Sequence, residues 1–268
     1  MEIAPRPFGE VLGEGISLLG RVWRRLVAPA FWSFMLLGAL TIVTLVSSGA
    51  NEFLELILTN PLAIESLSEE ELFDQMVLLG QAALIGGILQ LLATGFLHMT
   101  ANRIVAFEMA GMPISTREAV VWALRHFWIL VTAALIGSVA ILLGLVLLLV
   151  PGIWLAGCLT MLSPVVALER VGPLASLRRC LVLVRGRWWP TIGFVLLVGL
   201  LGSAAAQLVQ LIALPALAAG EVGIVAWLAF VFLMVVQGFV AAAIGVMHTR
   251  WYVDLRARKE PVLTTHLI

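Results

Sequence analysis

Apolar residues form six long stretches along the chain. They cover residues 26–49, 76–99, 128–149, 152–168, 190–214 and 222–247, and none contains Asp, Glu, Lys or Arg. Roughly 20 helical residues cross the hydrocarbon core of a bilayer, so each stretch approaches or exceeds the length of a span. The third and fourth are separated by Pro151-Gly152, a pair typical of turns. We therefore predict an all-α polytopic membrane protein, with six transmembrane helices in a single membrane domain.

The composition supports this prediction. Hydrophobic residues make up 62% of the 268 residues and charged residues 12%, whereas a soluble domain has about 25% charged residues. Such a chain cannot cover a globule of this size with polar surface, which excludes a soluble enzyme, a disordered tail and a nucleic-acid reader. Its two cysteines, Cys158 and Cys180, provide no disulfide framework.

Charge is divided sharply along the chain. All sixteen basic residues lie in the N-terminal segment, the second and fourth connections and the C-terminal segment. In the remaining connections every charged residue is acidic. These residues are Glu52, Glu55, Glu65, Glu69, Glu70, Glu71, Asp74 and Glu221. Six spans place the four basic segments on one side, which the positive-inside rule makes cytoplasmic. We predict cytoplasmic termini and a multi-pass protein of the bacterial inner membrane. A cleavable signal peptide is disfavoured, because the first stretch exceeds the usual 7–15 or so apolar residues.

Amphipathic segments precede the spans on the basic side. Residues 9–26, 115–127 and 173–187 place apolar and charged side chains on opposite helical faces. This pattern is typical of helices that lie in the membrane interface. Each segment leads into a pair of spans, which indicates a threefold repeat of interfacial helix plus hairpin. Chance similarity among Leu-rich segments is the alternative explanation.

Short motifs predict where helices end and begin. Glu108-x-x-Gly111-x-Pro113 and Glu169-x-x-Gly172-Pro173 each indicate a helix stop followed by a restart. Asn60-Pro61 predicts a helix start in the first connection. Later in that connection, Ser68 and Glu71 match a capping box. The alternative function of this acidic segment, a divalent-cation site, lacks the spacing of a calcium loop.

One basic segment concentrates charge and aromatic rings. The candidates for contact with lipid headgroups are Arg178, Arg179, Arg185, Arg187, Trp188 and Trp189. Basic residues near a membrane surface attract anionic lipid by about 1 kcal/mol each, and Trp favours the headgroup level. These charges also act as the orientation signal, which is the simpler explanation. Other Trp residues mark boundaries too: Trp154 and Trp227 fall near the predicted outer one.

Polar side chains within the spans are few. Gln207, Gln210 and Gln237 are candidates for lining a groove between the last two spans, although interhelical hydrogen bonds would use the same side chains. His98 and His248 end the second and sixth spans, where they could meet as a pair. No phosphate-binding loop, metal motif or nucleophilic triad is present in the sequence. We therefore expect no metal, no cofactor and no catalytic residue.

Four stretches resemble the membrane domain of some glycerophosphoryl diester phosphodiesterases and of related stand-alone six-helix bacterial proteins. They are PFGEVLGEGISLLGRVWRRL (7–26), LLLVPGIWLA (147–156), SPVVALERVGPLASLRRCLVLVRGRWW (163–189) and WYVDLRARKE (251–260). The resemblance implies a six-helix membrane domain. In the fused relatives the phosphodiesterase is a separate soluble barrel, for which this chain has no room. No catalytic residue is therefore transferred, and we expect no phosphodiesterase activity.

These observations favour a non-catalytic integral membrane protein that binds or organises lipids, or supports envelope-lipid handling, through a basic Trp-rich cytoplasmic face. The expected partners are membrane lipids, anionic ones in particular, and not nucleic acid. A transporter or channel for a small or lipidic solute is the alternative. A membrane-embedded enzyme is disfavoured, since acids, bases and nucleophiles do not cluster within reach of the bilayer.

Overall fold

A computed structural model describes residues 4–50, 53, 56, 67–218 and 224–262, and their side chains except those of 212–227. The predicted helix start at Asn60-Pro61 and the side chain of Trp227 therefore lie outside the described residues. Within these ranges there are eight long or medium helices and no strand. They are α1 (Phe8–Ser48), α2 (Glu69–Met109), α3 (Thr116–Leu148), α4 (Val150–Leu159), α5 (Leu162–Glu169), α6 (Pro173–Val184), α7 (Trp188–Ala218) and α8 (Ile224–Ala257).

Six helical segments of the described chain are long and apolar enough to cross a membrane. They are Phe8–Ser48, Glu69–Met109, Thr116–Leu148, Val150–Glu169, Trp188–Leu211 and Leu228–Ala257. The prediction of an all-α, multi-pass integral membrane protein is thereby confirmed. Their exposed side chains are predominantly large and apolar, which suits contact with lipid rather than water.

Several helices continue well beyond the apolar stretches, mostly into a basic segment, and α2 also begins within the acidic segment. The 41 residues of α1 rise about 60 Å, roughly twice the hydrocarbon thickness. Charges beyond the apolar part find partners on neighbouring helices: Arg21 and Arg25 of α1 lie 3.7 and 3.3 Å from Glu108 of α2. Two predicted interfacial helices, 9–26 and 115–127, are thus the first turns of α1 and α3. Only the third is a separate helix, α6.

Two prolines disturb the helices in ways the backbone explains. A helical proline has no N–H for the carbonyl four residues earlier. Pro29 lies inside α1, and the carbonyl of Arg25 accepts a hydrogen bond from the Thr116 hydroxyl at 3.3 Å. Pro164 lies inside α5, and the helix is broken four residues earlier at Thr160. The fourth apolar stretch is therefore two helices rather than one.

The helix junctions follow the sequence motifs closely. Gly111, two residues beyond the end of α2, has φ +69°, as its motif predicts. At the second motif, however, Arg170 takes the left-handed conformation with φ +52°, while Gly172 caps α6 and Pro173 begins it. The Ser68 capping box is confirmed, since its hydroxyl accepts from the Glu71 N–H at 3.2 Å and its own N–H donates to that carboxylate at 2.9 Å.

Contacts divide the chain into two compact units. The first comprises Met1–Ala30, Gly95–Ala205 and Phe239–Ile268. It contains every Lys and Arg of the sequence. Its core includes Phe194, Trp251 and Tyr252, packed with the buried residues of α5 and α6. A turn between the third and fourth stretches is confirmed, but it lies at Leu149, between α3 and α4, and Pro151-Gly152 belongs to the first turn of α4. The two backbones approach so closely that a methyl group on Gly144 would lie 2.9 Å from Gly152.

The second unit comprises Phe31–Thr94 and Ala206–Gly238. Its sequence includes all the acidic residues of the first and fifth connections and no basic residue. Gly38 allows close packing here, because a methyl group at this position would lie 2.8 Å from the Phe230 ring. Among the side chains that the structure describes in this unit, few large ones are buried, and Leu84 and Leu91 are more than 60% exposed. The division by contacts therefore follows the division by charge.

Candidate functional site

The first unit brings the predicted basic segment together with the ends of the chain. Arg179 of α6 does not face outward as a free cation. Its Nε lies 2.7 and 2.8 Å from the Glu169 carboxylate oxygens, and its Nη2 lies 2.5 Å from Glu260. Tyr252 donates a further hydrogen bond to Glu169 at 2.7 Å. Arg179 therefore ties α5, α6 and the segment after α8 together, a role that the sequence did not reveal.

Ionisation within this cluster is mutually reinforced. Burial opposes the charge on Arg179, but the hydrogen bond and charge of Glu169 outweigh it and raise the pKa of the guanidinium. Burial likewise opposes the charge on Glu260, but hydrogen bonding to Arg256 and the charge of Arg179 lower the pKa of this carboxylate. Burial and the charge of Glu169 raise the pKa of the Cys180 thiol, which stays protonated and unreactive.

Three of the predicted arginines are exposed. Arg178, Arg185 and Arg187 form no side-chain ion pair within the described part of the chain. Arg187 lines an open cavity of about 590 Å³. Its other lining residues are Pro5, Arg6, Pro7, Phe8, Pro190, Trp251 and Arg258. Arginines from three distant parts of the sequence thus converge on one cavity.

A single buried carboxylate organises this cavity. Asp254 of α8 is fully buried. Its Oδ1 accepts the backbone N–H of Arg6 at 2.7 Å, and its Oδ2 accepts Nε of Arg258 at 2.7 Å. The chain before α1 is therefore held against the end of α8. Asp254 compensates the charge of Arg258. Among the described carboxylate groups, the side chain of Arg6 reaches only the exposed ones of Glu10 and Glu14, at 3.3 and 3.8 Å.

Aromatic rings form the apolar wall of the cavity. Trp251 stacks on Phe194 with 4.5 Å between ring centroids, and Phe8 packs edge-on against Trp251 at 5.6 Å. The indole N–H of Trp251 donates to Thr191 Oγ1 at 3.2 Å, which fixes the ring. The cavity therefore combines an uncompensated Arg187 with a rigid apolar surface.

A second cavity, of about 380 Å³, is mostly apolar. Trp154, Leu181, Val182 and Arg185 line it. Trp188, at the start of α7, donates its indole N–H to the carbonyl of Trp154 at 2.9 Å. The prediction that Trp154 and Trp188 lie at opposite boundaries is wrong, because the two residues are in direct contact. Apolar composition reports burial in lipid or protein, but it does not report the direction in which a helix runs.

The remaining sequence candidates are separate from these cavities. Trp189 is 77% exposed, with its ring edge-on to Trp188 at 4.9 Å between centroids. In the second unit, Gln207 and Gln210 are exposed and Gln237 is half-buried. None of the three glutamines lines either cavity. A groove between the last two spans stays a prediction.

Polar side chains that follow the apolar stretches of α2 and α8 meet in the interior of the first unit. Asn102 donates to Ser163 at 2.9 Å and accepts from Thr249 at 2.6 Å. The rings of His98 and His248 lie 5.9 Å apart in an edge-on arrangement, so their predicted meeting is confirmed. The meeting of Asn102 with Thr249 was not predicted. The signal that could have indicated it is the similar order of His, Thr and Arg at the ends of the second and sixth apolar stretches.

No cluster of three or more metal-ligating side chains occurs among the residues that the structure describes. Comparison of the chain with protein-family models, with curated proteins and with solved structures finds no match in any of the three. The candidate site therefore rests on its own geometry.

Proposed function

We propose that this integral membrane protein binds anionic lipids on a basic cytoplasmic face of the bacterial inner membrane. In this role it organises lipids or supports their handling and catalyses no reaction. The observation that carries the proposal is the cavity lined by Arg6, Arg187 and Arg258 beside the ring of Trp251. The sequence resemblance to stand-alone relatives of the phosphodiesterase membrane domain also supports a role in lipid handling.

The cavity suits a phosphate-bearing headgroup in size and in chemistry. Its volume of about 590 Å³ falls within the range typical of small-molecule sites. Guanidinium groups present forked N–H donors that match the oxygens of a phosphate. Arg187 has no carboxylate partner in the described chain, so an anion would not have to displace one.

The surroundings favour a ligand that is part of a membrane. The cavity opens beside the start of α7, where Arg187 precedes the exposed ring of Trp189. Trp side chains favour the level of the headgroups. The second cavity is mostly apolar and has a single cation, Arg185, two residues before Arg187 in the sequence. A cavity with this lining suits an acyl chain.

The proposal predicts a difference between two exposed arginines. The test uses the full chain in nanodiscs of phosphatidylcholine with and without phosphatidylglycerol, and native mass spectrometry counts the lipids that stay bound. Arg187→Gln should weaken retention of phosphatidylglycerol about fivefold, since one cation near the surface contributes about 1 kcal/mol. Arg178→Gln is the matched control, because Arg178 is exposed but lines neither cavity.

The control separates a site from diffuse attraction. Equal losses in the two variants would mean that the basic surface attracts lipid without a specific cavity. No preference for phosphatidylglycerol in the unaltered chain would overturn the proposed function itself.

A further inference from the structure

Arg103 is a buried cation without a carboxylate partner. It lies inside α2 and is only 5% exposed. Its Nε and Nη1 make no hydrogen bond with any residue in the described ranges. Arg250, the other arginine buried to this degree among these residues, is 3% exposed and bonds Glu14 through Nε at 2.7 Å. A buried donor without an acceptor costs free energy, so Arg103 calls for a partner that the protein does not provide.

Aromatic rings surround the guanidinium but leave its donors unused. The Cζ atom of Arg103 lies 4.7 Å from the Phe107 ring centroid and 4.8 Å from that of Trp122. Trp122 is itself stacked on His126 at 4.3 Å. These rings stabilise the charge through their π faces. They do not accept hydrogen bonds in the guanidinium plane, where the N–H groups point.

Another cation acts on Arg103 electrostatically. It is Arg170, and no carboxylate of the described chain has such an effect on Arg103. Arg170 is exposed at the end of α5, in a left-handed conformation with φ +52° that glycine would adopt more readily. Two arginines that approach each other without an acid repel, and a bound anion would remove both the repulsion and the unused donors.

We propose that Arg103 and Arg170 bind a phosphate group, either of a lipid headgroup or of free inorganic phosphate. A phosphate has enough oxygens to accept hydrogen bonds from both guanidinium groups. Arg103 would provide the buried contact and Arg170 the exposed one. The site is separate from the cavity around Arg187. It does not depend on the proposed lipid function, since free phosphate would occupy it equally.

The test measures ligand affinity with the purified full chain in phosphate-free detergent solution. Two probes are titrated calorimetrically, inorganic phosphate and short-chain phosphatidic acid, and thermal unfolding is followed in parallel. Binding of both probes indicates a site for the phosphate group itself. Binding of phosphatidic acid alone indicates a lipid headgroup.

Variants assign the binding to these residues. We expect Arg103→Gln to lower the affinity at least about tenfold, since a charge-assisted hydrogen bond is lost. Arg170→Gln should lower it several-fold, and Arg178→Gln, at an exposed position that lines neither cavity, should leave it unchanged. If only Arg187→Gln lowers the affinity, the phosphate is bound in the cavity around Arg187. That result would overturn this proposal, while the proposed lipid function would stand.

Folding of the variants provides a second readout. Arg103→Gln leaves no carboxylate unpaired, so the ligand-free variant should unfold at or above the temperature of the ligand-free parent. Phosphate should raise the unfolding temperature of the parent and not that of the variant. If Arg103→Gln does not fold, the affinity of Arg170→Gln for the two probes tests the proposal instead, because Arg170 is exposed. Failure of both probes to bind the parent, or unchanged affinity in both variants, would refute the proposal.

Discussion

Replacing Asp254 by asparagine should both destabilise the protein and open the cavity around Arg187. The carboxylate is fully buried, and it holds Arg258 and the backbone of Arg6 through oxygens 2.7 Å from each donor. In Asp254→Asn the charge is lost, and an amide NH₂ replaces one acceptor and faces a donor. The attachment of the chain before α1 to the end of α8 would then be weakened.

The expected cost follows from these contacts. Each hydrogen bond to a charged group contributes about 1.5–3 kcal/mol, and breaking a buried ion pair costs about 3–5 kcal/mol. Since the Arg258 side chain is 23% exposed, water recovers part of this loss. We therefore expect the free energy of unfolding to fall by about 3 kcal/mol, with weaker retention of phosphatidylglycerol.

The assay compares chemical unfolding of purified protein in one detergent, with Glu10→Gln as the control. Glu10 pairs with Arg6 at 3.3 Å between two half-exposed side chains, and such a pair contributes about 0–1 kcal/mol. A change below about 1 kcal/mol in Asp254→Asn would refute the reasoning. So would an equal effect in the two variants.

Three further predictions concern other parts of the structure. Because the pKa of Glu260 is lowered, its ion pairs contribute fully to stability above pH 4.5, the ordinary pKa, and this contribution is lost as pH falls through the lowered folded-state pKa. The unfolding temperature should therefore fall in this pH range, and it should fall less in Glu260→Gln. Gly144→Ala should cost about 1–3 kcal/mol of unfolding free energy, because its methyl group meets the α4 backbone at 2.9 Å. Gly193→Ala, with nothing within 4 Å, should cost nothing, and equal effects would contradict the packing argument. Because the acidic and basic segments are predicted to lie on opposite sides of the membrane, Glu70→Cys, at an exposed position of the acidic segment, should react with an impermeant thiol reagent added on the acidic side, whereas Arg178→Cys, at an exposed position of a basic segment, should not; labelling of both would contradict this sidedness.

Much of the helical architecture was predictable because a bilayer imposes simple requirements. Backbone groups in hydrocarbon must be bonded within the segment, so long apolar stretches form helices. Local motifs worked for a similar reason: Ser68 and Glu71 cap a helix using atoms within one turn of each other. Helix lengths were harder to predict, because α1 continues through charged residues whose partners lie on other helices, as Glu108 does for Arg21 and Arg25.

The candidate site was predictable only as a region. Clustering along the sequence indicated a basic, Trp-rich segment, and the charge asymmetry indicated which segments share a side. The sequence pattern could not distinguish Arg179, which forms ion pairs with Glu169 and Glu260, from Arg187, which lines a cavity. Likewise, Arg103 lay in a predicted connection, and nothing in its local pattern indicated burial.

By itself, the sequence determined the helical class, the apolar segments, the separation of charge and several helix ends, because each depends on composition or on residues a few positions apart. The tertiary structure alone decided which cations are neutralised, where Trp154 lies and that Arg6, Arg187 and Arg258 share a cavity. These outcomes depend on how helices distant in sequence pack against one another. Ion pairs and hydrogen bonds form only when their atoms are within a few ångströms, and packing decides which atoms come that close.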